Sequence, residues 1–267
     1  MLKNSRYGLL HALLGVVLTI GALICLPACM AGKQLGKTGL EAVSTGFQFV
    51  WHQFVYGVNA AIPADKMLDI LGQTVLVFFI LLLILWAVGY CFPTRRSETG
   101  DTEDVSRVPD WSQAAKTVLI AFPVLTLVAL GLNLLCTHGI NWCTGVKPAE
   151  QPLVKCFADG TYGLGLKSML IAVVLFEAPL FEEPIFRGVI LRGFARRMPF
   201  WAAAALSGFV FAMVHVNAAS FIPLCFLGIA FAWLYRRTGT LLAPMTAHFL
   251  FNLTNVVLLF CFPEIAT

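Results

Sequence analysis

Three carboxylates and a guanidinium lie within the apolar stretch EAPLFEEPIFRGVI, residues 177–190. Glu183 and Arg187 are four residues apart, with the acid first, which is the favourable arrangement for an ion pair on one face of a helix. Glu182 projects about 100° away around the same helix. The spacing therefore predicts that Arg187 neutralises Glu183, while the carboxylate of Glu182 stays free.

A histidine on the next predicted helix reaches the depth of Glu182. The arginine-containing turn 196–199 joins the two helices and marks one membrane surface. With the centre of the connecting loop taken at position 198.5, Glu182 lies 16.5 positions before it and His215 lies 16.5 positions after it. In an antiparallel hairpin both side chains are therefore about 20–25 Å from that surface.

A third helix brings a second histidine and an amide to this layer. His248 and Asn252 are four residues apart, hence on one helical face, and they follow the second arginine-containing turn at 236–239. Their predicted depth is about 15–21 Å. We predict that the polar atoms of Glu182, His215 and His248 lie within about 4–8 Å of one another, close enough for one water or one metal ion.

This set of side chains is suited to the hydrolysis of an amide inside the membrane. Glu182, His215 and His248 have the types of a hydrolytic zinc site, in which the metal lowers the pKa of a bound water. Without a metal, Glu182 could act as general base on a water held by a histidine. Asn252, and His248 with it, could donate hydrogen bonds to the oxyanion of a tetrahedral intermediate. Both versions stay open.

The same residues resemble the motifs of a known family, the CPBP proteins, which include type II CAAX prenyl proteases, bacteriocin-processing proteins and Abi-like proteins. The stretch EEPIFR resembles the motif Glu-Glu-x-x-x-Arg, FVFAMVH resembles Phe-x-x-x-His, and HFLFN resembles His-x-x-x-Asn. All three occur in order within residues 166–256. Pro184 replaces a more usual apolar residue, and we expect a local bend there.

The resemblance implies an all-helical intramembrane endopeptidase. It implies that Glu182 and His215 activate the water and that His248 and Asn252 support the oxyanion, either with Zn²⁺ or without a metal. It further implies a peptide or membrane-protein substrate, of which a prenylated CAAX protein is the eukaryotic case. The full set of implied functional residues is Glu182, Glu183, Arg187, His215, His248 and Asn252. Glu177 has no counterpart in the motif and is interpreted as structural.

The composition predicts an integral membrane protein. The chain is 59% hydrophobic and only 12% charged, whereas soluble domains are about a quarter charged. The net charge of +4 indicates cytoplasmic loops rather than binding to nucleic acid. The fold class is all-α and polytopic, with about seven transmembrane helices. We expect these helices at 8–30, 67–92, 114–136, 166–194, 200–217, 219–235 and 240–262.

One integrated membrane domain is expected, with an N-terminal region at 1–165 and the candidate catalytic helices at 166–262. Residues 40–58 have the pattern of an amphipathic helix on the membrane surface, and residues 93–112 that of a charged loop. The excess of Lys and Arg on one side favours an N-terminus inside the cell, in a bacterial inner membrane. A cleaved signal peptide at 1–30 is the alternative for the first helix.

Other readings stay open at this point. Cys136, Cys143 and Cys156 bracket a predicted outer loop and could form a disulfide in an oxidising compartment. A proton-coupled transporter could use Glu182 and His215 as a relay. A scaffold or immunity-type family member without proteolytic activity is the other alternative. The oligomeric state is not predicted.

Overall fold

A computed structural model describes residues 9–20, 79, 80, 83, 110–145, 148 and 163–262. The regular structure of these residues is all helical, as predicted. Four of the helices are long and apolar enough to cross a membrane, so the chain is an integral membrane protein; they are Trp111–Thr144, Leu164–Phe194, Ala218–Thr238 and Leu242–Cys261. The helices are α1 (Leu9–Ile20), α2 (Trp111–Thr144), α3 (Leu164–Phe194), α4 (Phe200–Val214), α5 (Ala218–Thr238) and α6 (Leu242–Cys261).

The helices follow the predicted spans with shifted ends. Helix α2 is 34 residues long and extends beyond the span predicted at 114–136, because Asp110 caps its first turn and Gly145 ends it in the left-handed conformation. Helix α4 has 15 residues and ends earlier than the span predicted at 200–217. The predicted amphipathic helix at 40–58 lies outside the described residues, as do most of the span at 67–92 and of the loop at 93–112.

Helix α3 carries the acidic motif and contains two π-helical segments, at Val173–Glu177 and Pro184–Leu191. A proline inside a helix has no N–H to donate, and its ring clashes with the carbonyl four residues earlier. A π-helical turn is wider and relieves such a clash without ending the helix. The expected bend at Pro184 is thus accommodated as a local widening that begins at this proline.

A strained turn joins α4 to α5. His215 ends α4, and Asn217 caps α5 by accepting a hydrogen bond of 2.9 Å from the backbone N–H of Ser220. Between them Val216 has a φ of 48°, a left-handed conformation that is costly for a β-branched residue. Such strain is maintained only where the surrounding structure fixes the backbone, so this turn holds His215 in a defined place.

Helices α4 and α5 approach each other more closely than large side chains at their interface would permit. A Cβ on Gly228 would lie 2.5 Å from the Cα of Gly208, and a Cβ on Gly208 would lie 2.8 Å from the carbonyl oxygen of Cys225. Small residues at helix interfaces allow this approach in membranes. Helix α5 also packs against α2 and α6, so it is the central helix of the described bundle.

One further contact joins α1 to the described bundle. Helix α1 packs against the C-terminal half of α3, where Ala12 joins a core that includes Phe186 and Ile190.

Cys136 and Cys143 are free thiols on α2. They are separated by about 10 Å along the helix axis, too far for a bond between them. Cys156 lies outside the described part of the chain.

Replacement of Gly228 by alanine is expected to destabilise the protein by about 1–3 kcal/mol, because the added methyl group meets backbone rather than a movable side chain. The melting temperature in detergent measures this effect. The matched control is Gly131→Ala on α2, since nothing lies within 4 Å of a Cβ built there. Equal melting temperatures for the two variants would show that the close packing of α4 on α5 is wrong.

Candidate active site

A buried ion pair on α3 forms part of the site. Arg187 donates through Nη1 to Oε1 of Glu183 at 3.1 Å, and its Nε lies 3.1 Å from Oε2. Both side chains are fully buried. The pairing predicted from the spacing of these two residues is therefore present.

Contacts on the other helices fix the guanidinium of Arg187. Its Nη2 donates to the carbonyl oxygen of Gly228 on α5 at 3.1 Å. The rings of Phe211 and Phe231 lie 4.8 and 5.3 Å from its central carbon, within the range of cation–π attraction. The close packing of α4 on α5 thus brings a backbone carbonyl within reach of a buried charge.

His248 on α6 binds the same carboxylate. Its Nδ1 lies 2.9 Å from Oε1 of Glu183, and its ring stacks on Phe231 with centroids 5.2 Å apart. Since Glu183 is held as a carboxylate by Arg187, it accepts, and Nδ1 of His248 carries the proton. Nε2 of His248 then points toward Glu182, at 4.0 Å from its Oε2.

His215 is oriented in the same way by a different acceptor. Its Nδ1 lies 2.7 Å from the carbonyl oxygen of Phe211, one helical turn earlier. A carbonyl can only accept, so Nδ1 is the donor and Nε2 of the neutral ring has a free lone pair. This Nε2 lies 4.0 Å from Oε2 of Glu182. The ring of Phe211 lies against the imidazole, with centroids 4.7 Å apart.

The predicted convergence is present at one atom, Oε2 of Glu182. Both imidazole Nε2 atoms lie 4.0 Å from it. The atom is buried and has no hydrogen-bond partner among the described residues. The side chain of Glu182 is 12% exposed and that of His215 is 30% exposed, so the layer opens toward solvent on the side of His215.

The side-chain amide of Asn252 forms a bond to α3 that the motif alone does not predict. One N–H of its side-chain amide donates to the carbonyl oxygen of Val174 on α3 at 2.8 Å, which satisfies a carbonyl within the first π-helical segment. An amide has a second N–H, so one donor remains beyond this bond. Asn252 therefore fastens α6 to α3 one helical turn away from His248.

Sequence reasoning missed the contact between Glu183 and His248. The two residues are 65 positions apart, and no local spacing predicts a pair on separate helices. It also missed that Phe211 contacts His215 through both its ring and its backbone carbonyl, although a spacing of four residues favours contact between the two rings. Arg187, Glu183 and His248 form one continuous chain of hydrogen bonds, and Nε2 of His248 at its end lies 4.0 Å from Oε2 of Glu182.

The donor types suit a zinc ion, but their separations do not. Nδ1–H bonds to a carboxylate and to a backbone carbonyl are the ones that zinc-binding histidines usually make. However, tetrahedral bonds of about 2.0–2.2 Å put neighbouring ligand atoms about 3.3 Å apart, shorter than the 4.0 Å found here. No group of three His, Cys, Asp or Glu among the described residues is placed to hold a metal.

Replacement of Arg187 by alanine should lower the yield of folded protein as well as its stability. It would leave Glu183 buried without its cation, at a cost of about 3–5 kcal/mol. Folded yield and melting temperature in detergent measure the loss. The double variant with Glu183→Gln removes the unpaired charge and should recover part of it. A double variant no more stable than Arg187→Ala alone would contradict the pairing.

The comparison with known proteins agrees with the motifs. Residues 165–254 match the model of a family described as type II CAAX prenyl endopeptidase Rce1-like, and this segment is about a third of the chain. No curated protein and no solved structure matches the chain. The matched segment contains all six residues of the predicted site. The family indicated by the three motifs is thus the one that this part of the chain matches: the Rce1-like type II CAAX prenyl endopeptidases.

Proposed function

We propose that the protein is an intramembrane endopeptidase that hydrolyses a peptide bond with a water activated by Glu182 and His215. The observation that carries the proposal is the placement of one buried carboxylate oxygen 4.0 Å from two imidazole nitrogens on two other helices. Polar atoms at this separation can be bridged by one water that hydrogen-bonds to both. The match to an endopeptidase family supports peptide hydrolysis as the reaction.

The hydrogen bonds of the site support a defined role for each side chain. His215 donates through Nδ1 to Phe211, so its Nε2 can accept one hydrogen bond from the water. Oε2 of Glu182 accepts the other. The water oxygen is then directed by two acceptors and can attack a substrate carbonyl carbon.

The reaction follows from this arrangement. As the water oxygen bonds to the carbonyl carbon, a proton passes to Glu182 and the carbonyl oxygen becomes an oxyanion. In its charged form His248 donates through Nε2 to this oxyanion, and the carboxylate of Glu183 stabilises that form through Nδ1. The remaining N–H of Asn252 is the second donor. When the C–N bond breaks, Glu182 returns the proton to the leaving amine.

We propose that this reaction proceeds without a metal. The separation of the candidate ligands supports this version, because Oε2 of Glu182 and each imidazole nitrogen would have to approach each other to complete a zinc site. The substrate class proposed is a peptide or a membrane protein, in a bacterial inner membrane.

Replacement of Glu182 by glutamine tests the general base. The amide has nearly the same shape but cannot take the proton, so turnover should fall at least ~100-fold. The assay is cleavage of a peptide library by purified protein in detergent. Melting temperature is the control, since the variant should fold normally. Turnover close to that of the wild type would show that Glu182 is not the base.

Removal of metal ions tests the metal-free mechanism. Extensive treatment with a strong zinc chelator, followed by gel filtration, should leave the rate of peptide cleavage unchanged. Metal content is measured on the same sample, so that an unchanged rate refers to metal-depleted protein. A rate that is lost with the chelator and restored by added Zn²⁺ would show that the three side chains rearrange around a metal.

A further inference from the structure

Phe231 on α5 is a buried aromatic residue that belongs to none of the three motifs. The motifs lie on α3, α4 and α6, whereas α5 carries none of their residues. Phe231 is 1% exposed and follows Gly228, whose carbonyl accepts from Arg187, by three residues. Residues three apart share one face of a helix, so the ring of Phe231 and this carbonyl lie on the same side of α5.

The ring of Phe231 stacks on the imidazole of His248. The two ring centroids are 5.2 Å apart and the planes are inclined by only 28°. The ring of Phe211 also contacts this imidazole, but nearly at right angles to it, at 77° and a centroid distance of 5.9 Å. Of these two aromatic contacts, Phe231 therefore supplies the flat face that lies along the plane of the imidazole.

The imidazole of His248 needs such a face to stay in place. Its hydrogen bond to Oε1 of Glu183 holds Nδ1 at 2.9 Å. A hydrogen bond fixes one atom of the ring, but the ring plane can still tilt about that atom. Tilting would move Nε2 away from its position 4.0 Å from Oε2 of Glu182. A flat ring packed against the imidazole opposes the tilt, because imidazole atoms would be pushed into it.

Resting on the proposed function, we propose that Phe231 is a positioning residue whose ring holds Nε2 of His248 toward the oxyanion formed beside Glu182. Phe231 acts through His248 and touches no reacting atom itself. Its ring also lies 5.3 Å from the central carbon of Arg187, within the range of cation–π attraction. Arg187 keeps its charge throughout the reaction, so this second contact contributes to stability, whereas the orientation of His248 contributes to the rate.

Replacement of Phe231 by leucine tests the proposal, because it keeps an apolar side chain and removes the flat ring. We expect kcat for peptide cleavage to fall about 10–100-fold, as for a displaced group of an oxyanion site. KM should stay unchanged, since the affected interaction is made only in the transition state. Phe231→Tyr keeps the ring and should retain a kcat close to that of the wild type.

Phe194→Leu is the matched control. Phe194 is also a buried phenylalanine of the core, at 4% exposure, and it lies at the end of α3 away from the motif residues. The same atoms are removed in both variants, so both melting temperatures in detergent should fall. Only Phe231→Leu should lose kcat. A kcat in Phe231→Leu equal to that in Phe194→Leu would overturn the proposal.

The order of the imidazole separates this proposal from the proposed hydrolysis. NMR of protein labelled with carbon-13 in histidine measures the order parameter of the His248 ring, whose signal is assigned with His248→Gln. It should be about 0.85 in the wild type and in Phe194→Leu, and below about 0.6 in Phe231→Leu. If the wild type cleaves no peptide, the proposed hydrolysis fails, but a ring loosened by Phe231→Leu alone still supports the positioning role. A ring equally ordered in all three proteins overturns it.

Discussion

The buried carboxylate of Glu183 is the interaction on which the rest of the site depends. It accepts from Arg187 on its own helix and from His248 on α6, and all three side chains are almost fully shielded from solvent. A carboxylate is stable in such a place only when it is paired and hydrogen-bonded. Glu183 and Arg187 therefore depend on each other, and loss of either leaves a buried charge without its counter-ion.

The packing of the helices serves this interaction. Arg187 reaches the carbonyl of Gly228 because Gly208 and Gly228 allow α4 and α5 to approach at backbone distance. The same approach places Phe211 and Phe231 around the guanidinium. Phe211 also orients His215 through its backbone carbonyl. The polar site and the apolar packing of the bundle thus depend on the same residues.

Much of this arrangement could be predicted from the sequence. The pair Glu183 and Arg187 follows from a spacing of four residues, and the common depth of Glu182 and His215 follows from equal distances to one turn. Helical rise and periodicity are properties of the backbone, so they transfer from sequence to structure without knowledge of neighbours. The family match at 165–254 covers the same three motifs.

Other features could not be predicted, because they depend on contacts between helices. The bond between Glu183 and His248 requires the rotation of α6 about its axis, which no local pattern reveals. The bond of Asn252 to Val174 requires a π-helical turn, and the strained φ of Val216 requires a fixed α4–α5 turn.

Cleavage in water enriched in oxygen-18 tests the central claim most directly. The wild-type protein, reconstituted in lipid vesicles with a peptide substrate, should produce fragments whose new terminal carboxyl contains one atom of oxygen-18. Mass spectrometry of the fragments identifies both the bond and the label, and the same experiment with His215→Asn should yield little product. Intact peptide after prolonged incubation with wild-type protein, or fragments equally abundant with the variant, would contradict hydrolysis by a water held between Glu182 and His215.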